Sequence, residues 1–585
     1  MPLPAFSGQL GQKGAAHLLR RAAFGGTKQQ IDDFASMTAT AAVSALYSGT
    51  LPDPQLPVNP ETGQEWITLP VSEDTNSIDL ENWFMGWTIG QMMAVGVNPS
   101  VALAYSARER LVYFLHTHFT TIKSRVTNAK ALYYQNQLFR LFALDGATTS
   151  PDKNFKVLTA KVCVDNAMLR VLDGALNVKG NVNENFAREF HELYTVGRGL
   201  EGRIPPTTEK GDYVYYKEAD VQAAAKVFSG WDSDITFTTL DPDTNLPRGK
   251  VKGSATNATQ HNNEPKQFSD RYQPGGVTLT PDATLMQGGN PTEESAMDEI
   301  IKLVDLVYAN PETARNICRR IYRFFVWGPH TTDEADPIES IITEMVNTFA
   351  ANNYKLQPLI EELLRSQHFY DAAAGIADDN FGGIIKSPID LVLGTYRFFE
   401  VQLPDMNTSP VEFYAATKDI IGILGNMAMN YYEPFDIAGY EAYWQYPVYH
   451  RYWITPNTLA TRYEFIQRLF RADEPGLVKA DPLKYLRDRF GSIATDQALL
   501  VKTLVEYLLP VPDSLTYDRD VDQDMLATIT AERMNYFVAH FMGDLGEDPT
   551  YWGSSWAGLM SDEELARWCA TLFNTILQTP EYQLA

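Results

Sequence analysis

The sequence predicts a mainly α, multi-helical protein of two packed lobes, with a loop-rich insertion between them that is either a carrier of short strands or an ordered functional loop. Three observations predict it. Apolar residues recur at helical intervals through most of the chain, as in Leu111, Leu115 and Phe119, the spacing of a helix with one buried face. Helix start and stop signals bracket such stretches: Thr27 before KQQIDDFASM, Ser387-Pro388 before IDLVLGTYRFF, and Gly25-Gly26 or Gly230 after. At 585 residues the chain exceeds what one hydrophobic core usually organises.

A first helix is expected over Lys13 to Phe24, with Leu18, Leu19 and Ala22 on its apolar stripe and Arg20, Arg21 and Lys13 on a solvated face. Thr27 with Gln30 three residues on makes a capping box for the second helix. Residues 48 to 76, rich in Pro, Gly, Asp and Thr, read as an irregular connection. The uncharged run Trp83 to Ala107 is long enough to span a bilayer, but Asn98-Pro99 interrupts it, so two buried helices are expected and no membrane span. In RERLVYFLHTHFTT the helical period turns Arg108 and Glu109 away from the apolar face.

NVNENFAREFHELYTVGRG predicts a helix of about four turns, capped by Asn181 and closed by Gly197. Its buried edge is Phe186, Phe190 and Leu193. Glu184, Arg188 and Glu192 form a row of alternating charge, with Asn185 and Glu189 on the neighbouring row. EADVQAAAKVFSGW is a further helix, and after it the composition turns to Thr, Asp, Asn, Gly and Pro. The boundaries expected are thus an N-terminal lobe over 1–235, the insertion over 236–290 and a C-terminal lobe over 291–585, with an aromatic loop near 431–453.

With 44% hydrophobic and 21% charged residues the chain is ordinary globular material. A net charge of −25 excludes nonspecific attraction to nucleic acid or anionic lipid. Cys163, Cys318 and Cys569 are scattered without a CxxC spacing, which excludes a disulfide framework and the common zinc motifs. The first residues lack an apolar stretch with a cleavage site, so a cytoplasmic address is expected.

HLLRRAAFG at His17 to Gly25, ERLVYFLHTHF, LDGALNVKGNVNENFAREFHELYTVG, ADVQAAAKVFSGW, KSPIDLV, PFDIAGY with WITPNTLATR, and a closing TPEYQ stand in this order. Together they resemble an uncharacterised bacterial family, the domain of unknown function eighteen hundred, over nearly the whole chain. This chain departs from the family pattern in carrying His261, Asn262 and Lys266 where a His-Asp pair precedes a lysine, and Glu433-Pro434 and Gly439-Tyr440 where the late loop has Pro-Pro and Gly-Trp. The resemblance assigns no reaction and leaves the cofactor unknown. It implies a context: relatives are often exported and encoded beside a family that looks like sulfatases and phosphatases, so a sulfatase-like protein is an expected partner.

No phosphate-binding loop, HExxH, GxSxG or GxGxxG stands in a suitable place. What remains is a set of carboxylates and imidazoles on neighbouring helices, Glu189, Asp173 and His118, which can do acid–base work if they converge. His116 and His118 lie about 200 degrees apart on a helix and cannot both face one ion, and Glu189 is followed three residues on by Glu192 rather than His, so no metal set is assigned. Glu184, Asn185, Arg188 and Glu192 are either a charge ladder clamping neighbouring helices or, through Arg188, a seat for a carboxylate, sulfate or phosphate. Tyr440, Trp444 and Trp453 either pack the late loop on the core or offer a face to a sugar or a partner chain. Two functions stay open: a noncatalytic partner or assembly protein, and, as the alternative, an enzyme, for instance a hydrolase, with a carboxylate/His site between helices.

Overall fold

The computed structural model describes residues 3–68, 78–146, 153–329, 332–370, 383–471, 476, 478–510, 531–540 and 549–585. Among the described residues it holds 25 α-helices and short strands in two small sheets. α1 (Gly11–Ala22), α2 (Lys28–Ala35) and α3 (Ala39–Tyr47) open the chain. α4 (Ile78–Met92), α5 (Pro99–His118), α6 (Lys123–Val126), α7 (Ala129–Ala143), α8 (Phe155–Val162) and α9 (Met168–Val171) follow. α10 (Asn185–Glu189) runs into a π-helical turn at Phe190–Tyr194, and α11 (Glu218–Val227) comes next.

The strands lie where the composition changes. β1 (Trp231–Asp232) pairs antiparallel with β2 (Lys250–Val251), and β3 (Lys266–Phe268) with β4 (Val277–Leu279). Helices then resume: α12 (Glu293–Ala309), α13 (Pro311–Phe325), α14 (Thr332–Ala351), α15 (Leu356–Arg365), α16 (Gln367–Tyr370), α17 (Pro388–Phe398) and α18 (Pro410–Asn426). The late part holds α19 (Glu441–Trp444), α20 (Pro456–Leu469), α21 (Pro482–Phe490), α22 (Gln497–Leu508), α23 (Ala531–His540), α24 (Pro549–Ser554) and α25 (Asp562–Leu577).

Local chemistry explains the boundaries. Thr27 and Gln30 exchange side-chain bonds with each other's backbone N–H at 3.1 and 3.0 Å, the capping box expected for α2. Asn98 caps α5 with Pro99 at its first position, so the uncharged run divides between α4 and α5. Among the described residues no helix is long and apolar enough to cross a membrane. Gly230 has φ +84°, and a Cβ there would stand 2.5 Å from the His261 backbone nitrogen, so only glycine lets the insertion close on the end of α11. The irregular connection expected over 48–76 is irregular as far as residue 68, and its remainder lies outside the described residues.

Buried apolar side chains form one continuous cluster from Leu3 to Tyr582. α1 is seated against segments remote in sequence. His17 Nε2 lies 3.1 Å from the Phe369 carbonyl, Arg20 donates to the Tyr507 carbonyl at 2.7 Å, and Arg21 to the Ala585 carbonyl at 2.5 Å. The expectation of a solvated basic face on α1 is therefore wrong for Arg21, which is buried, because carbonyl groups from the far end of the chain replace water around its guanidinium.

A second correction concerns α5. Arg108 and Glu109, expected to face away from the core, are both buried. Glu109 accepts a bidentate pair from Arg140 of α7 at 2.9 and 2.6 Å and a further bond from Arg108 at 3.1 Å, while the Arg140 guanidinium lies 5.3 Å from the Trp87 ring. Burial pushes the Glu109 carboxyl up, and the two arginines outweigh it and hold it below the usual range. The period was read correctly, but α5 is covered on its charged side as well by α7. Replacing Glu109 with Gln leaves two buried guanidinium groups short of their counter-charge, and chemical denaturation should show a loss of about 3 kcal/mol.

Candidate functional site

The central helix is shorter than its sequence suggests, and it begins later. Asn181 does not cap it: Asn181 pairs with Val178 in an isolated bridge, and the Asn183 side chain accepts from the Asn185 backbone N–H at 2.9 Å at the true start. The helix ends in the π-turn, which Thr195 closes by donating to the Phe190 carbonyl. Gly197, with φ +72°, ends it as expected, its N–H reaching the His191 carbonyl at 2.7 Å.

The charge row is partly reassigned. Arg188 holds Glu218 at the start of α11 bidentately, at 2.9 and 2.5 Å, with Tyr213 on the same carboxylate at 2.8 Å, whereas Glu184 is only 3.5 Å away as an ion pair. Glu192 pairs with Arg198 at 2.7 Å, and Asn185 is exposed. The Arg188 guanidinium is thus engaged on two edges, which accounts for it as a clamp between α10 and α11.

Glu189 stands apart from this network. Its carboxylate makes no hydrogen bond or ion pair among the described residues, and it is half-buried. Burial, then Glu192 and Asp436 of the late loop, push its carboxyl from 4.5 up to about 7. A carboxyl with that pKa exchanges a proton close to neutral pH.

The other two members of the expected acid–base set have different surroundings. His118 is buried, with Nε2 3.1 Å from the Tyr194 carbonyl, and burial lowers its pKa well below the usual value. Asp173 is exposed, in left-handed backbone at φ 55°. His116 points to a different neighbour from His118, stacking on Tyr432 with ring centroids 4.0 Å apart. Among the described residues no three His, Cys, Asp or Glu side chains are grouped so as to hold a metal ion.

The aromatic loop is largely part of the core. Tyr440 is buried, its hydroxyl accepting from the Tyr432 N–H at 2.9 Å and donating to the Asn430 carbonyl at 3.2 Å. Trp453 is buried against Tyr443, with centroids 5.9 Å apart. Trp444 is partly exposed, its Nε1 3.4 Å from the Gly439 carbonyl, and Phe435 projects outward at 94% exposure.

Two features escaped the sequence reading. In the insertion, Lys266 pairs with Glu299 of α12 and donates to the Asn262 carbonyl at 2.6 Å, and His261 lies between the Ser229 carbonyl at 2.9 Å and Glu299 at 3.3 Å. This sealed cluster rivets the insertion to α12; the HNNEPK spacing pointed to it, but not to its carboxylate partner. The second feature is a groove of about 860 Å³ between α8, α12 and the loop over 241–248. Val157, Ala160, Met297, Ile301 and Val304 line its apolar part. Three of its cations are paired, Lys161 with Asp241 and Asp243, both at 2.8 Å, Lys156 with Asp305 at 2.5 Å, and Arg248 with Glu293 at 2.7 Å, while Lys153 makes no ion pair among the described residues.

These features define a mainly helical protein with a strand-bearing insertion that walls a groove and a central helix ending in a π-turn. The chain belongs to the family described as Protein of unknown function (DUF1800), which it matches over residues 17–584. No curated protein and no solved structure matches it.

Because the Glu189 carboxyl has a higher pKa folded than unfolded, its contribution to stability is greatest below about pH 4.5 and is lost as the pH rises through 7. The wild-type unfolding free energy should therefore fall, relative to Glu189→Gln, between these values, a difference that urea titrations of both proteins across the range will read.

Proposed function

We propose that this is a noncatalytic binding protein that docks an apolar segment of a partner polypeptide in the groove between α8, α12 and the insertion. The groove carries the reading. Its volume of about 860 Å³ is in the range of sites that enclose a ligand or a few side chains. Ile301 is 46% exposed on its wall beside Met297, an apolar surface with no cover among the described residues.

The paired rim argues for a peptide with apolar anchors. Three of the four cations that line it, Lys156, Lys161 and Arg248, already have a carboxylate, so little charge is set aside for a phosphate or a sulfate. The partner implied by the family resemblance is the sulfatase-like protein encoded beside its members. A cytoplasmic setting fits the three cysteines, which are buried and free.

The test mixes the full chain with a sulfatase-like protein of the kind encoded beside the family's members and measures association by calorimetry. Binding is expected, and Met297→Glu combined with Ile301→Glu should weaken it at least tenfold with an unchanged unfolding midpoint, since each apolar anchor is worth about 1.5–3 kcal/mol. Absence of association, or a double variant that binds like the wild type, would reject the reading.

A further inference from the structure

Lys266 of β3 and Glu299 of α12 touch with both side chains at 0% exposure, and among the described residues Glu299 is the only carboxylate whose ion-pair partners are as completely covered as it is. The other buried pairs differ in kind. Glu109 is held by arginines, whose guanidinium groups keep their protons, and Lys161 pairs with the exposed Asp243 as well as with Asp241. A lysine gives up its proton more readily when water is withdrawn, and for Lys266 burial outweighs the nearby Glu299 and lowers the pKa. An uncharged amine so placed is a nucleophile.

His261 completes the group. Its Nδ1 lies 2.9 Å from the Ser229 carbonyl, which can only accept, so that nitrogen carries a proton. Its Nε2 lies 3.3 Å from Glu299 Oε1. With an ammonium on Lys266 and a carboxylate on Glu299, that second contact sets two lone pairs against each other. Moving one proton from the ammonium to Oε1 turns the contact into a hydrogen bond and leaves no charge on any of the three side chains in a place without water. The amine donates to the Asn262 carbonyl at 2.6 Å, and its nitrogen touches Glu299 Oε2. The carboxyl carbon is one bond beyond that oxygen, which puts it within the roughly 3–3.5 Å of a near-attack arrangement.

We propose that Lys266 and Glu299 become joined by an isopeptide bond between Nζ and Cδ, with His261 holding the proton on the oxygen that departs. The Nζ lone pair forms the bond to Cδ while the C=O π pair moves onto Oε2, and the nitrogen passes one proton to that oxygen. The Cδ–Oε1 bond then breaks with its electron pair on Oε1. This oxygen leaves as water, carrying its own proton and the one shed by Nζ, and the pair on Oε2 restores the carbonyl. Nothing is oxidised or reduced. Two groups fixed in one site react at an effective concentration far above that of a free amine and acid, and the covered site keeps bulk water from reversing the step.

The bond closes a loop between residues 33 positions apart and fastens the insertion to α12 covalently. It stands whatever occupies the groove between α8 and α12.

The test is mass spectrometry of the full chain, purified and denatured. Its intact mass should fall short of the sequence mass by one water. Trypsin should fail to cut after Lys266, and the digest should hold one branched peptide that contains both Lys266 and Glu299. Lys266→Met, which keeps a buried apolar stem and removes the amine, should show its full sequence mass. His261→Phe should form the bond at least tenfold more slowly, read as the fraction of chains lacking the water at successive times after synthesis. If either variant fails to fold by circular dichroism, the branched peptide of the wild type decides alone. A wild-type chain of full sequence mass, cleavage after Lys266 that releases two unlinked peptides, a water loss that persists in Lys266→Met, or an unslowed reaction in folded His261→Phe would overturn the proposal.

Discussion

The ion pair between Arg110 of α5 and Asp390 of α17 is the contact on which the arrangement of the chain depends. Arg110 also donates to the Arg21 carbonyl at 3.1 Å and lies over the rings of Phe24 and Phe324, so one guanidinium joins α1, α5, α13 and α17. Around it the cations outnumber the carboxylates. Arg20, Arg21, Lys386 and Arg462 all have pKa values lowered by burial, and Asp390 acts on Arg21, Lys386 and Arg462. Backbone carbonyls meet much of the rest: Arg462 reaches Lys386 at 2.8 Å and Lys386 reaches Tyr582 at 2.7 Å. A seat of this kind is directional, since each donor must find its acceptor, and it fixes which segments meet more sharply than apolar contact alone can.

The same device recurs at smaller scale. Glu109 with Arg140 ties α5 to α7, and Glu299 with Lys266 ties the insertion to α12. Paired and sealed charges of this kind add little net stability over apolar packing, but each is expensive to break on one side only. Arg188 on Glu218 is a more exposed relative of these clamps and positions α11 against the central helix. The groove and the π-turn are both edged by such clamps, so their shapes are set by fixed side chains and not by loops alone.

Much of the architecture was legible in the sequence because it is written in local terms. Caps at Thr27, Asn98 and Ser387, the break at Asn98-Pro99 and the turn at Gly197 each depend on a few neighbouring residues. What was not legible depends on partners distant in the chain. The periodicity of α5 gave its apolar face but could not reveal that α7 covers the opposite face, and the doublet Arg20-Arg21 read as solvated because its carbonyl acceptors come from residues 507 and 585. The candidate site divided in the same way. Glu189 was identifiable as a carboxylate on the central helix, but the π-turn that follows it and the acids that act on it are brought together only by the fold.

The seat of α1 also bears on how the chain comes to fold during synthesis. The bond from Arg21 to Ala585 spans 564 positions. At ribosomal rates of roughly 5–20 residues per second, the first helix waits about half a minute to two minutes for that acceptor. Until then its guanidinium groups must stay in water, and its apolar stripe of Leu18, Leu19 and Ala22 cannot close on its final neighbours. Nascent chains of this protein thus carry a basic, amphipathic helix without its seat while the intervening residues are made, a segment that a chaperone could cover for that interval.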